Sequence, residues 1–593
     1  MVLHHFSYFC SIMNNMKKWV VRAKKADFKA ISEKYGISEI CARLIRNRDI
    51  ISDEEIDYFL NAVISDMHDP FLLKDMNKAC LYIMDAIKDG KSIRVVGDYD
   101  IDGVCASTIL LRGLSALGAK VSYRLPHRVK DGYGLNNTII DEAAADDIDM
   151  IVTCDNGIAA INEIAHAREL GIDVIVTDHH EIPFEIIDGE KNYIMPEALC
   201  VVNPHRIDDK YPYKNICGAM VAYKLILALK KCIPDKITEE LSDMLFDFAA
   251  FATIGDIMPL LNENRIAVKY GLRSMRNTKN IGLSALIDVT EVKRDRLSPY
   301  HIGFVLGPCV NAAGRLDTAD TALELFMTED KERARKLAIK LKETNDERKR
   351  LTNEKVEEAI RLVESGSDGH DYSKDTVLLV YMTDTHESIA GLIASKLKEK
   401  FTKPIIVFTD SEGCLKGSGR SIEAYDIFAE LSKYKDLMIK FGGHPMACGM
   451  SIEKRNFEEL RRIVNENSPI TDADLVEKYY IDIDMPINYV DEELLREIEL
   501  LAPFGEANSS PLFAQKNLMV LSRKKNAKGN MVTLQLKSPP HGNRPEKTMF
   551  ATMFGDADEI LSKISGKDMI TLAYVPEYND FYNRVQINIK DII

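Results

Sequence analysis

From about residue 90 to residue 260 short β-branched runs alternate with stretches of helical periodicity. SIRVVGD, MIVTCD and DVIVTDH each precede a helical stretch, which predicts a parallel sheet with crossover helices. Upstream, residues 26–64 read as short amphipathic helices; the apolar positions of ISEKYGISEICARLIRNR recur with a helical period. A long polar helix is predicted from about Asp330 to Val363 and reads as a solvated spacer joining two lobes. SGSDGHDYSKD, residues 365–375, is a loop by composition. A second α/β block follows, with strands TVLLVY and PIIVF and a helix over 388–400. From about residue 478 short strands dominate: YYIDIDM, LMVLSR, MVTLQL, MFATMF, MITLAYV and RVQINI. Gly, Pro and Asn punctuate them as in a small closed β-barrel.

The expected class is therefore α/β: a parallel-sheet domain and a second α/β domain joined by a long helix, followed by a β-barrel. The boundaries expected are 1–75 for an N-terminal extension and helical segment, 76–325 for the first domain and 326–372 for the connecting helix and linker. The second α/β domain takes 373–470 and the barrel 471–593. A chain of 593 residues has room for several such cores.

Charge changes the picture. The formal net charge is −15, so a nucleic-acid site, if there is one, must be a local basic patch on an acidic body. The 11 cysteines include no Cys-x-x-Cys pair and no zinc spacing; Cys105, Cys154 and Cys232 sit in apolar runs and read as small buried hydrophobes of a reducing compartment. No apolar run approaches the length of a membrane span. Residues 1–15 are mildly apolar, but two histidines interrupt them and no small-residue cleavage site follows. The expectation is a start assigned too early, with MKKWVV at Met16 the working beginning, rather than a signal peptide.

The richest segment is VVGDYDIDGVCAST, residues 95–108. A β run ends at Val96, and Asp98, Asp100 and Asp102 then alternate before Gly103 leads into an apolar helix. In extended chain such positions point the same way. Three like charges held together would repel by on the order of several kcal/mol, a cost that a divalent cation removes. A polar loop with capping aspartates explains one of these acids well and three poorly. Asp155 ends a second β run, Asp178, His179 and His180 end a third, and Asp256 follows an apolar helical stretch. Oxygen donors with one or two imidazoles suit Mn2+ or Mg2+ better than structural zinc. Two such ions about 4 Å apart would clamp a phosphodiester.

GDYDIDG, TCDNG, TDHH and GDIMPL resemble, in that order, the four motifs of the DHH phosphoesterase superfamily. Further segments resemble its RecJ branch: LPHRVKDGYGLN (125–136) and GPCVNAAGRLDTA (307–319) in the first lobe, and HESIAGLIASKL (386–397), KGSGRS (416–421) and FGGHPMACG (441–449) in the companion DHHA1 domain. APFGEANSSPLF (502–513) resembles the junction to an oligonucleotide-binding (OB) barrel. The resemblance covers nearly all of the chain from Met16. It implies two divalent cations, Mn2+ or Mg2+, held by Asp98, Asp100, Asp102, Asp155, His179 and Asp256. Asp155, His179 and His180 would be catalytic, with His180 in the immediate surroundings of the metals or the scissile phosphate. The implied activity is 5′→3′ hydrolysis of single-stranded DNA to nucleoside 5′-monophosphates, in DNA repair and recombination. The implied setting is a cytoplasmic monomer without a membrane, with a single-strand-binding protein and a helicase as candidate partners. Two other readings compete: a DHH hydrolase of short oligonucleotides or cyclic dinucleotides, and an inactive DNA-binding scaffold. Ser388, Lys396 and Cys448 depart from the family pattern, which has Gly, Arg and Ala there; none touches an expected ligand.

For substrate contacts, Lys416, Ser418 and Arg420 of KGSGRS can meet a phosphate; a hairpin turn with exposed charges is the competing reading. In FGGHPMACG, Gly442 and Gly443 permit close approach and His444 can donate to a phosphate. Arg315, with Asn311 beside it, is a further candidate, as are His127 and Arg128. Tyr133 can stack a base or be an ordinary half-buried tyrosine. SRKKNAKGN (522–530) can meet backbone phosphates or be a solvated hairpin tip.

Overall fold

The β-branched runs between residues 92 and 202 form a five-stranded parallel sheet in the computed structural model, which describes residues 17–128, 130–188, 190–411 and 413–593. Residues 1–15 lie outside the described residues. The strands lie in the order Lys120–Arg124, Ser92–Val96, Met150–Cys154, Asp173–Thr177, Cys200–Val202. By chain order this is 2-1-3-4-5, a doubly wound sheet whose winding reverses between its first and third strands. Loops leaving the carboxyl ends of those two strands part there and leave a crevice. The helix Ile101–Ala116, nearly all buried, follows the first strand and packs against Gly218–Cys232 and Glu239–Gly255. A helix apolar on every side is one buried on every side.

The second lobe is a mixed sheet in the order Met438–His444, Ala447–Ile452, Cys414–Arg420, Ile405–Ser411, Leu378–Met382. Only the last two strands run parallel, joined by the helix Glu387–Phe401. The connecting helix is Lys331–Ser365, 35 residues long, or about 52 Å at the α-helical rise. It is less of a solvated spacer than its composition predicts. Ala338, Asn345, Thr352 and Ala359 recur every seven residues on a buried stripe, and its last turns join the core of the second lobe.

These elements make up one compact unit, residues 68–258 and 270–476. The other unit gathers residues 17–67, 259–269 and 477–593. Its centre is a closed barrel. Phe513–Lys525 pairs with both Met531–Ser538 and Met569–Asn579, and Lys547–Phe554 and Arg584–Ile592 complete the ring. The N-terminal segment is not set apart from the barrel as its sequence position suggests. The strand Lys18–Val21 pairs in parallel with Lys478–Ile481, and Leu44, Ile45, Ile56 and Phe59 share one core with the barrel. Ten cysteines among the described residues are free; Cys105 and Cys154 are buried, but Cys232, at the end of its helix, is exposed rather than buried as expected. Among the described residues no helix is long and apolar enough to cross a membrane.

Candidate active site

Asp98, Asp100 and Asp102 follow the first strand of the parallel sheet and Asp155 follows the third, so they meet at the point where the winding reverses. The turn from strand to helix is tight: a Cβ on Gly103 would stand 2.5 Å from Asp98 N. Asp100 caps the helix, accepting from Asp102 N at 2.9 Å and Gly103 N at 3.1 Å. The Asp102 carboxylate accepts from Gly218 N at 2.6 Å and Ala219 N at 2.8 Å, at the positive end of the Gly218–Cys232 helix. Asp155 takes a left-handed backbone, φ 61°, which aspartate tolerates better than most residues. His179 Nε2 is 3.0 Å from Asp155 Oδ1, 3.5 Å from Asp102 Oδ2 and 3.8 Å from Asp256 Oδ2.

Burial and mutual repulsion show in the acidities. Burial, and then Asp100, hold Asp98 well above the ordinary carboxylate range. Burial with Asp102 and Asp100 does the same to Asp155, and pushes Asp256 up to about 9. Burial pushes His179 below the usual imidazole value, which leaves it neutral and able to act as a ligand. Asp98 Oδ1 is buried without a hydrogen-bond partner. An orphaned carboxylate oxygen, crowded acids and a neutral imidazole are together the donor set of a divalent cation. Three groups have converging ligand atoms: Asp98, Asp100 and Asp155; Asp102, His179 and Asp256; Asp155, His179 and His180. Asp155 and His179 are each shared by two of them, so the residues fit more than one ion.

Sequence reasoning left Asp178 without a role. It is buried at the strand end and accepts from Ile158 N at 2.9 Å, His179 N at 2.7 Å and His180 Nδ1 at 2.8 Å. Burial opposes its charge, but these donors outweigh it and Asp178 lies below the ordinary range. Burial likewise works against charge on His180, yet Asp178 raises it to about 9. Asp178 thus fixes the backbone at both histidines and orients the His180 ring, and its place at the head of the TDHH string is the signal that could have found it. Tyr133 donates to the Asp155 carbonyl at 2.8 Å and its hydroxyl lies 3.2 Å from His180 Nε2, while half of the residue stays exposed.

A cleft of about 360 Å³ opens beside the cluster, lined on one side by Tyr99, Arg128 and Tyr133 and on the other by Lys416, Ser418 and Gly442 of the second lobe. Arg128 lies 4.7 Å over the Tyr99 ring, Arg315 donates to Ser388 O at 2.8 Å, and Arg420 donates to Gly419 O at 2.7 Å. None of the three is in an ion pair among the described residues. Burial, and then the neighbouring Arg128 and Arg348, bring Arg315 down to about 10; burial, with Arg128 again opposing, lowers Arg420. Arginines without an ion-pair partner of their own are placed to take anionic oxygens. Lys416 is engaged, its Nζ 2.9 Å from Glu387 Oε1. Asn311 braces the aspartate loop: its Oδ1 accepts from Ile101 N at 2.8 Å.

KGSGRS is neither a phosphate loop nor a hairpin turn but part of the strand Cys414–Arg420, with Lys416, Ser418 and Arg420 on one face. The glycines face the core, where a Cβ on Gly417 would stand 2.6 Å from Phe408 Cε1 and one on Gly419 2.5 Å from Cys448 Sγ. A Cβ on Gly442 or Gly449 would meet nothing within 4 Å, so the backbone there is open to the cleft. His444 is exposed at a hairpin end, its Nδ1 3.3 Å from Met446 N, and is not brought to the cleft lining. His127 accepts at Nδ1 from Lys130 N at 3.3 Å. In SRKKNAKGN, Lys525 pairs with Asp558 at 2.8 Å and Arg523 donates to Lys567 O, so two of its cations are engaged within the barrel unit.

Three family models match in series: DHH family, N-terminal domain, over residues 92–252; DHHA1 domain over 374–467; and RecJ OB domain over 481–591. The single-stranded-DNA-specific exonuclease RecJ of Bacillus subtilis is 34% identical over 85% of this chain, and this chain spans 62% of its length. The Salmonella typhimurium protein of the same name is 33% identical over 93% of this chain and 95% of its own. The crystal structure of RecJ from Thermus thermophilus in complex with Mn2+ shares the fold, with a TM-score of 0.80 at 24% identity over 98% of this chain and 80% of that one. A crystal structure of exonuclease RecJ bound to manganese matches with a TM-score of 0.57 at 29% identity, over 68% of this chain and 96% of that one. With motif order, sheet topology and domain series in agreement, the chain belongs to the RecJ family of DHH exonucleases.

Proposed function

We propose that this protein hydrolyses single-stranded DNA from the 5′ end and releases nucleoside 5′-monophosphates. The observation that carries the reading is the meeting of a buried acid–histidine cluster with a cleft lined by Arg128, Lys416 and Lys440. Asp98, Asp100, Asp102, Asp155, His179 and Asp256 would hold two divalent cations, Mn2+ or Mg2+, which when bound supply Lewis acidity toward the phosphodiester and its attacking water. Around them this chain's own groups position the strand. Arg128, Arg315 and Arg420 take phosphate oxygens. Ser418 and the open backbone at Gly442 let the strand approach. His180, held charged by Asp178, donates a hydrogen bond or a proton at the scissile phosphate, and Tyr133 fixes that imidazole. The reading extends to a cytoplasmic monomer in DNA repair and recombination. Its substrate must arrive already separated from the complementary strand, which a helicase supplies and a single-strand-binding protein preserves.

One oligonucleotide, labelled separately at each end, tests this. With Mn2+ the 5′ label is expected to appear as mononucleotide in the first turnovers while the 3′ label persists in shortening products, and chelator stops both. Early release of the 3′ label, or cleavage that survives chelation, would overturn the reading.

A further inference from the structure

Residues 299–316 form one helix interrupted by a π turn: Pro299–His301, then Ile302–Leu306 in π geometry, then Gly307–Leu316. Such turns are rare and recur at functional sites. Two glycines dock this one. A Cβ on Gly307 would stand 3.0 Å from Ile101 Cδ1, between Asp100 and Asp102 in sequence, and one on Gly303 would stand 4.0 Å from Ile254 Cγ2, two residues before Asp256. Phe304 lies between those glycines, yet it is 67% exposed. Tyr300, four residues earlier, is 64% exposed, and the two rings stack with centroids 5.1 Å apart at 27°. Ile257, directly after Asp256, is 70% exposed at φ 57°, a backbone that β-branched residues rarely adopt.

Large apolar side chains left in water beside a catalytic cluster call for an occupant. A net charge of −15 gives no long-range attraction for phosphates, and Tyr300, Phe304 and Ile257 themselves bring no cation, so what they can offer a strand is contact with its uncharged parts. Nucleobases meet that demand, because every base offers a π face to an aromatic ring. We infer that Tyr300 and Phe304 form a stacking platform for bases of the single strand next to the metal cluster, a binding element separate from the cleft lined by Arg128 and Lys416. The inference rests on the exonuclease reading, since it takes the occupant to be that substrate.

The test uses the full chain in an Asp155→Ala background with an oligo-dT whose bases are removed one position at a time. In the parent, one or two abasic positions should weaken binding by about tenfold, within the range for base–aromatic stacking. In Tyr300→Ala/Phe304→Ala, the intact oligonucleotide should bind about tenfold more weakly. Those positions should cease to matter and the salt dependence should stay unchanged, because no phosphate contact is lost. Phe304→Trp should keep the parent's pattern, and 5-iododeoxyuridine at the sensitive position should cross-link to Tyr300 or Phe304. A double variant that binds as tightly as the parent, or that keeps its abasic sensitivity, overturns the platform alone. A parent that binds no single strand overturns the exonuclease reading with it.

Discussion

Asp256 shows how much an isolated side chain in this cluster costs until a cation arrives. Burial, then Asp102 and Asp100, let it keep its proton up to about 9 when folded. The unfolded side chain loses that proton near 4. The folded state therefore binds the extra proton between those values, and stability must fall as pH rises through that window. Without metal, melting temperature should drop from pH 6 to pH 9, and Asp256→Asn should flatten the decline. In a unit of about 400 residues each kcal/mol recovered raises the midpoint by only about 1 °C. Added Mn2+ should reverse the order, because the asparagine variant loses a ligand. Thermal melts at two pH values, with and without chelator, check this; a decline unchanged in Asp256→Asn would place the pH sensitivity elsewhere. The acids were legible in sequence because each ends a hydrophobic run and four such endings coincide. The hold of Asn311 on Ile101 N and the Lys416–Glu387 pair were not, because those partners lie 210 and 29 residues apart, where no local spacing links them.

Among elements, periodicity carried the parallel sheet, the long helix and the barrel strands. Glycine content misled at KGSGRS. Two glycines among cations read as a loop, whereas in the sheet they are alternate positions of a strand whose neighbours Phe408, Met450 and Cys448 fill the space a side chain would need. Gly417→Ala should therefore destabilise the second lobe by about 1–3 kcal/mol, the usual cost of overpacking. The affinity of the folded fraction for single-stranded DNA should change little. Urea unfolding beside a binding titration separates the two effects; full stability with weakened binding would return the glycines to a substrate role. The long helix was misjudged for a related reason. Its mean composition is polar, and the buried stripe of Ala338, Asn345, Thr352 and Ala359 includes two polar residues that an apolar template passes over.

At the scale of the whole molecule, sequence order hides that the first helices and the barrel share one core. Removing residues 472–593 would strip the cover from Leu44, Ile45, Ile56 and Phe59. We expect that truncation to bind a hydrophobic dye and aggregate. A deletion that also removes residues 17–67 should behave better. Light scattering and dye fluorescence of the two truncations decide it, and a monodisperse chain after the first deletion alone would show that the helices hold themselves together. The acidic body was legible from charge alone, with the condition that any nucleic-acid site be a local basic patch; the pairing of Lys18–Val21 with Lys478–Ile481 was not, since no periodicity links residues so far apart.

The parallel ladder of Lys18–Val21 with Lys478–Ile481 joins residues 460 positions apart, from 478 − 18. At about 5–20 residues per second, a ribosome needs roughly 25–90 s to make the second strand after the first. For that interval the strand Lys18–Val21 and the helices after it wait without their partners while the elements of the other unit are made. Its helices carry their own caps, Asp27, Ser38 and Ser52, the last in a full capping box, so each can hold local order before its core exists. The barrel unit thus completes its core only after the elements of the other unit have been made, and the interval before it closes is when a chaperone has most to protect.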